Sequence, residues 1–243
     1  MGSLLAFIPV VGQMVVYGWL ARVHRALLEG RDQIPPLAFA DLGPNLNIGI
    51  APWLVHFIVG LVGSFVIMPV YFVGSAVAAI AIPASAEAGA SEATTIAVAV
   101  VFSALAVLLV LGLVYVVAAV MTVALIRAEL VVDVSQAFAG LAPRELWRVA
   151  RLVKGELVLC TVGSAVGSVI VVALGLLALY FGIFPAMIVV LAANAHFRHQ
   201  LYSLYLARGG TPLPLAPLPG VPPAEAAGQS APLPYAGPPG QGA

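Results

Sequence analysis

The segment 94-TTIAVAVVFSALAVLLVLGLVYVVAAVMTVALI-126 runs for 33 residues without an Asp, Glu, Lys, Arg or His. A bilayer hydrocarbon core of about 30 Å is crossed by about 20 apolar residues at 1.5 Å rise each. This stretch is therefore predicted to be a transmembrane helix, with the excess length taken up by tilt or overhang. Upstream, Ile48 to Ile82 is long enough for a second such helix, with Pro69, Gly60, Gly63 and Gly74 inside it. Downstream, Leu157 to Phe197 has length for two, provided it turns near Tyr180-Phe181-Gly182-Ile183-Phe184-Pro185, where glycine, proline and amphipathic aromatics coincide. Leu4 to Leu20 is shorter and carries Pro9, Gly12 and Gln13, which suits either a thin span or a re-entrant hairpin.

The composition agrees. The 243 residues are 62% hydrophobic and 8% charged, with mean hydropathy +1.10, whereas soluble domains are about 25% charged. A soluble fold is excluded, and the expected fold class is all-α: a polytopic transmembrane helical bundle of about five spans (4–20, 48–82, 94–126, 157–180, 184–200). Ten basic residues balance ten acidic ones, so the net charge predicts no nucleic-acid partner. The lone Cys160 sits in an apolar run and reads as a packing residue.

Short loops rich in Lys and Arg stay in the cytoplasm. Five spans with an external N-terminus put all ten basic residues, from Arg22 to Arg208, on one side. The opposite loop, Pro83 to Ala93, then holds Glu87 and Glu92 and no positive charge. The expected arrangement is thus a multi-pass membrane protein with its basic side and C-terminal tail in the cytoplasm. That tail, residues 211–243, holds ten prolines and one charge, Glu225, and is predicted to be disordered.

Residues 143–154, PRELWRVARLVK, place Arg144, Arg148 and Arg151 at i, i+4 and i+7, with apolar residues opposite and Trp147 suited to headgroup depth. An interfacial amphipathic helix on the cytoplasmic face is predicted, with Arg144, Arg148, Arg151 and Lys154 as candidate contacts to anionic lipid headgroups. In the next segment Gly163-Ser164 and Gly167-Ser168 repeat four apart, a pattern that admits a second helix closely and offers hydrogen bonds to it. Packing within the chain is the expected use. Two cytoplasmic connections also resemble each other: Arg25-Ala26-Leu27-Leu28 followed by Ala38-Phe39-Ala40-Asp41-Leu42-Gly43-Pro44, and Arg127-Ala128-Glu129-Leu130 followed by Ala137-Phe138-Ala139-Gly140-Leu141-Ala142-Pro143. The two copies suggest a duplicated hairpin.

Gly18-Trp19-Leu20-Ala21-Arg22-Val23-His24-Arg25, with Leu28-Glu29-Gly30-Arg31-Asp32, Pro35-Pro36 and Phe39-Ala40-Asp41, resembles the opening signature of the prokaryotic membrane family catalogued as domain of unknown function 4013. The resemblance continues through Ala137-Phe138 to His196, Gln200 and Leu201-Tyr202. It implies a multi-pass integral membrane protein and carries no established activity or catalytic residue.

Chemistry finds little purchase. Residues 58–82 and 94–126 contain no Asp, Glu, Lys, Arg or His, so a proton-coupled carboxylate path is not expected there. His56 reads as an interfacial packing residue beside Trp53, and His24, His196 and His199 as span-end residues without metal-ligand spacing. Gln13, Asn45, Asn47 and Asn194 could line a small cavity or join helices. No nucleophile, phosphate-loop or dinucleotide motif occurs. The expectation is a protein with no catalytic residues, no metal and no cofactor, acting through lipids or a protein partner at its cytoplasmic face. The competing expectation is a transporter or channel for a small neutral or amphiphilic solute.

Overall fold

The structure is a computed structural model that describes residues 10–30, 35–87, 89, 91–177 and 182–215. The first nine residues, Arg31, the Tyr180-Phe181 turn and the tail beyond 215 lie outside the described residues. Among the described residues the chain is all-helical. The helices are α1 (Val11–Leu28), α2 (Leu42–Glu87), α3 (Glu92–Val131), α4 (Val134–Ala139), α5 (Pro143–Leu177) and α6 (Ile183–Ala207), with a 3-10 turn at Phe39–Asp41. Three of these are long and apolar enough to cross a membrane, lying in α2, α3 and α5.

Several boundaries differ from expectation for identifiable reasons. α1 continues past Leu20 to Leu28, because Arg22, His24 and Arg25 find partners instead of ending the helix; Gly30, at φ +70°, then supplies the left-handed exit. α2 starts at Leu42, tolerating Pro44 in its first turn, and runs on through Pro69. The predicted interfacial helix 143–154 and the span after it form one helix, α5, bent at Val153, whose φ −126° and ψ 27° are not helical. The expected last span, 184–200, lies within α6, which runs on to Ala207; its Asn194, His196, Arg198, His199 and Gln200 set it apart from the three long apolar helices. α4 was not foreseen. Asp133 caps it, accepting from the Gln136 N–H at 2.8 Å and the Ser135 hydroxyl at 2.6 Å.

The chain forms two compact units, residues 1–56 with 120–243, and residues 57–119. The first unit spans all ten Lys and Arg residues of the sequence. Its buried core includes Leu20, Ile48, Val55, Leu130 and Leu201. α1 and α2 cross within this unit at glycine: a Cβ on Gly18 would collide with the Asn45 carbonyl, and one on Gly49 with that of Met14. Val132, β-branched yet at φ 59°, is held in that strained conformation by packing against Ala21 and Ile48. α5 and α6 pair through Gly175, where a Cβ would lie 2.8 Å from the Gly182 carbonyl oxygen and 2.9 Å from Ala186.

The second unit is a hairpin of the later part of α2 and the earlier part of α3. Gly63 faces Val117 and Gly74 faces Ala106, so small residues set its closest approaches. Outward, large apolar side chains are bare: Phe65 is 73% exposed and Leu108 65%. Ser64 and Ser75 turn back on the helix backbone, Ser64 Oγ donating to Gly60 O at 2.9 Å and Ser75 Oγ to Tyr71 O at 2.8 Å. Apolar exposure with hydroxyls satisfied locally is the surface chemistry that hydrocarbon demands.

Candidate functional site

The last turn of α1, the end of α3 and the middle of α6 meet at a buried carboxylate. Glu129 is fully buried and accepts three hydrogen bonds: Arg198 Nη2 at 2.6 Å, Arg198 Nε at 3.1 Å, and the ring N–H of His24 Nδ1 at 2.8 Å. A carboxylate only accepts, so the shared proton sits on Nδ1. Burial of a lone ion in such surroundings is prohibitive, and the fork of Arg198 compensates it with two parallel charged bonds. Beside it, buried Arg25 donates through Nη2 to Leu130 O at 2.6 Å. That carbonyl is among the last four of α3, which lack helical partners, so Arg25 caps the negative end of the helix dipole. Aromatic rings close the site: the rings of His199 and Tyr202 stand edge-on to that of His24, at 6.1 and 6.5 Å between centroids.

Around this node the basic residues tie helix ends together. Arg22 Nη1 lies 3.4 Å from both Asp41 Oδ2 and the buried Asn45. Arg127 Nε donates to Gln136 O at 2.9 Å and its side chain covers Gly140, seating α4 on the end of α3. After α6, Tyr205 and Tyr202 hydroxyls accept from the backbone N–H of Thr211 and Leu213, at 3.0 and 2.8 Å, so the chain folds back along the helix.

The second feature is the arm of α5 before its bend. Arg144, Trp147, Arg148 and Arg151 are exposed and, with Glu145 and Leu152, line an open hollow of about 480 Å³. Arg148 Nη2 reaches Glu145 at 2.5 Å; Lys154 is exposed just past the bend. Arg208 fastens the bend itself, donating through Nη1 to Leu152 O at 2.7 Å and gripping both Glu156 oxygens. The buried Val153 is the pivot.

The family model described as Protein of unknown function (DUF4013) matches residues 1–181. The chain belongs to the DUF4013 family. Neither the curated proteins nor the solved structures yield a match to it. In this DUF4013 protein the matched region takes in His24, Arg25, Glu129 and the α5 arm, while Arg198 and Arg208 lie beyond it.

The residues singled out from the sequence divide. Arg144, Arg148 and Arg151 do come together on one hollow. Gly163 and Gly167 do not receive a neighbouring helix: no described atom lies within 4 Å of where their Cβ would be. Of the same motif, Ser164 does reach α6, donating to Asn194, and Ser168 is half-buried; the close approach of α5 to α6 is at Gly175. Gln13 and Asn45 join helices, Gln13 through Trp53 Nε1 at 3.1 Å. The Glu129 node was missed, because each member sits at the edge of an apolar run, where a charge reads as interfacial.

Proposed function

We propose that this DUF4013 protein is a non-enzymatic, membrane-organising component with five spans, working through lipids or a protein partner at its cytoplasmic face. The observation that carries this reading is the node. His24, Glu129 with Leu130, and Arg198 are contributed by α1, α3 and α6, in the C-terminal half of each. Three helices whose C-terminal parts meet all run inward, and that supports an external N-terminus, five crossings and the collection of basic residues on one side. The start of α2 joins the same region through Arg22 with Asn45, and the start of α5 lies against it through Arg208 with Leu152 and Glu156. The positive-inside rule assigns that side to the cytoplasm.

Glu129, Arg198, Arg22 and Arg127 are bonded between helices or helix ends, while Arg144, Arg148 and Arg151 are exposed together on the α5 arm. A transporter or channel is the weaker reading, since Glu129, His24 and Arg198 bond one another instead of facing a solute path. Two labelling positions test the topology in a C160S background: A93C and S135C, treated with a membrane-impermeant maleimide in sealed, oriented vesicles. Ser135 is expected to label from the cytoplasmic side and Ala93 from the opposite side; cytoplasmic labelling at Ala93 overturns five spans. Cross-linking in native membranes then reads partners, and a protein that cross-links to nothing and shows no lipid preference would leave the functional reading without support.

A further inference from the structure

We propose that the hollow on the α5 arm is a binding site for the phosphate of an anionic phospholipid headgroup. This deepens, and rests on, the reading of the cytoplasmic face as the working surface. Three guanidinium groups, Arg144, Arg148 and Arg151, line one concavity against a single carboxylate, Glu145. Guanidinium forks match phosphate oxygens two at a time, which a point-charge ammonium does not. The hollow, at about 480 Å³, has room for a phosphodiester headgroup and falls within the range of about 300–1,000 Å³ typical of small-molecule sites.

Its position names the occupant. Beyond Val153 the same helix continues to Leu177, with Leu159 74% and Val169 70% exposed, a surface for acyl chains. The arm thus borders the zone where headgroups begin, and Trp147, 72% exposed on the same hollow, has the side chain that favours that depth. Arg208 fixes the bend through Leu152 O and Glu156, so the guanidinium groups meet the bilayer surface at one angle. Contact with lipid acyl chains and selection of an anionic headgroup are separable properties, and only the second is the proposal.

The test uses the full chain with W19F and W53F, leaving Trp147 as the one tryptophan of three. It is reconstituted into phosphatidylcholine vesicles holding an equal fraction of either brominated phosphatidylglycerol or brominated phosphatidylcholine, and Trp147 quenching is read. A basic residue near an anionic surface contributes about fivefold each in local lipid enrichment. Quenching by the anionic lipid is expected to reflect at least about tenfold enrichment over the zwitterionic one, and R144Q/R148Q/R151Q is expected to abolish that preference while leaving quenching by phosphatidylcholine intact. Equal quenching by both lipids overturns the site but leaves the arm on the membrane. No quenching by either overturns the site and the face reading together. A preference that survives the triple substitution, or that a soluble polyglutamate peptide displaces as well as phosphatidylglycerol does, also overturns the proposal, the latter in favour of an acidic protein partner.

Discussion

Substituting Glu129→Gln should be among the most damaging single changes in this protein, although it alters the side chain by one atom type. Gln retains one oxygen for Arg198 and presents an NH2 group where the second oxygen accepted, so two donors lose their acceptor. Each hydrogen bond to a charged group is worth about 1.5–3 kcal/mol. Removing one member of a buried pair costs about 3–5 kcal/mol. The structure supports a value in that range, because Arg198 at 5% exposure has no solvent to turn to. The folding equilibrium should fall by roughly two to four powers of ten. SDS titration in mixed micelles, followed by tryptophan fluorescence, reads it. The control is the double variant Glu129→Leu with Arg198→Leu, which removes both charges. It should lose at least about 2 kcal/mol less than the two single substitutions added together. A Glu129→Gln protein within about 0.5 kcal/mol of the parent, or a strictly additive double variant, would refute the pairing as the clamp.

Gly18→Ala and Gly49→Ala each drive a Cβ into a backbone carbonyl across the α1–α2 crossing; each should destabilise by about 1–3 kcal/mol or more, seen as lower midpoints in the same titration. Gly163→Ala and Gly167→Ala meet open space and should be neutral or gain up to about 1 kcal/mol from helix propensity; a loss would reveal a contact partner for that face. Hydrogen bonds from the Ser135 hydroxyl and then the Gln136 N–H hold the Asp133 carboxyl below its ordinary range. The cap is therefore present above the ordinary carboxylate pKa and lost as pH falls through the lowered value; Gln136 amide exchange should quicken there, and D133N should abolish the pH dependence while keeping the cap.

Length and hydropathy made the long apolar helices legible, whereas the two AFA-containing connections, alike in sequence, fold differently, one as the 3-10 turn Phe39–Asp41 and the other as the helix Val134–Ala139. The basic arm was legible too, since a stripe at i, i+4 and i+7 is a local property. Its bend was not, because Val153 departs from helical geometry for a tertiary reason, the grip of Arg208 from beyond α6 on Leu152 and Glu156. The node was hidden for the same reason. His24 and Glu129 are separated by 105 residues and Glu129 and Arg198 by 69, and no periodicity relates them. The Gly163-Ser164/Gly167-Ser168 motif is half used: Ser164 bonds Asn194 of α6, but no described atom approaches the Cβ positions of Gly163 and Gly167.

The Glu129–Arg198 pair also has a place in time. Translation runs from the N-terminus, so when Glu129 is made His24 already exists, but Arg198 is 69 residues away. At about 5–20 residues per second the carboxylate waits roughly 3 to 14 s for its guanidinium. During that interval Glu129 lacks the two hydrogen bonds that Arg198 supplies, and burial of its charge is uncompensated by a guanidinium. The Glu129 node therefore reaches its full set of bonds only after α6 has been made.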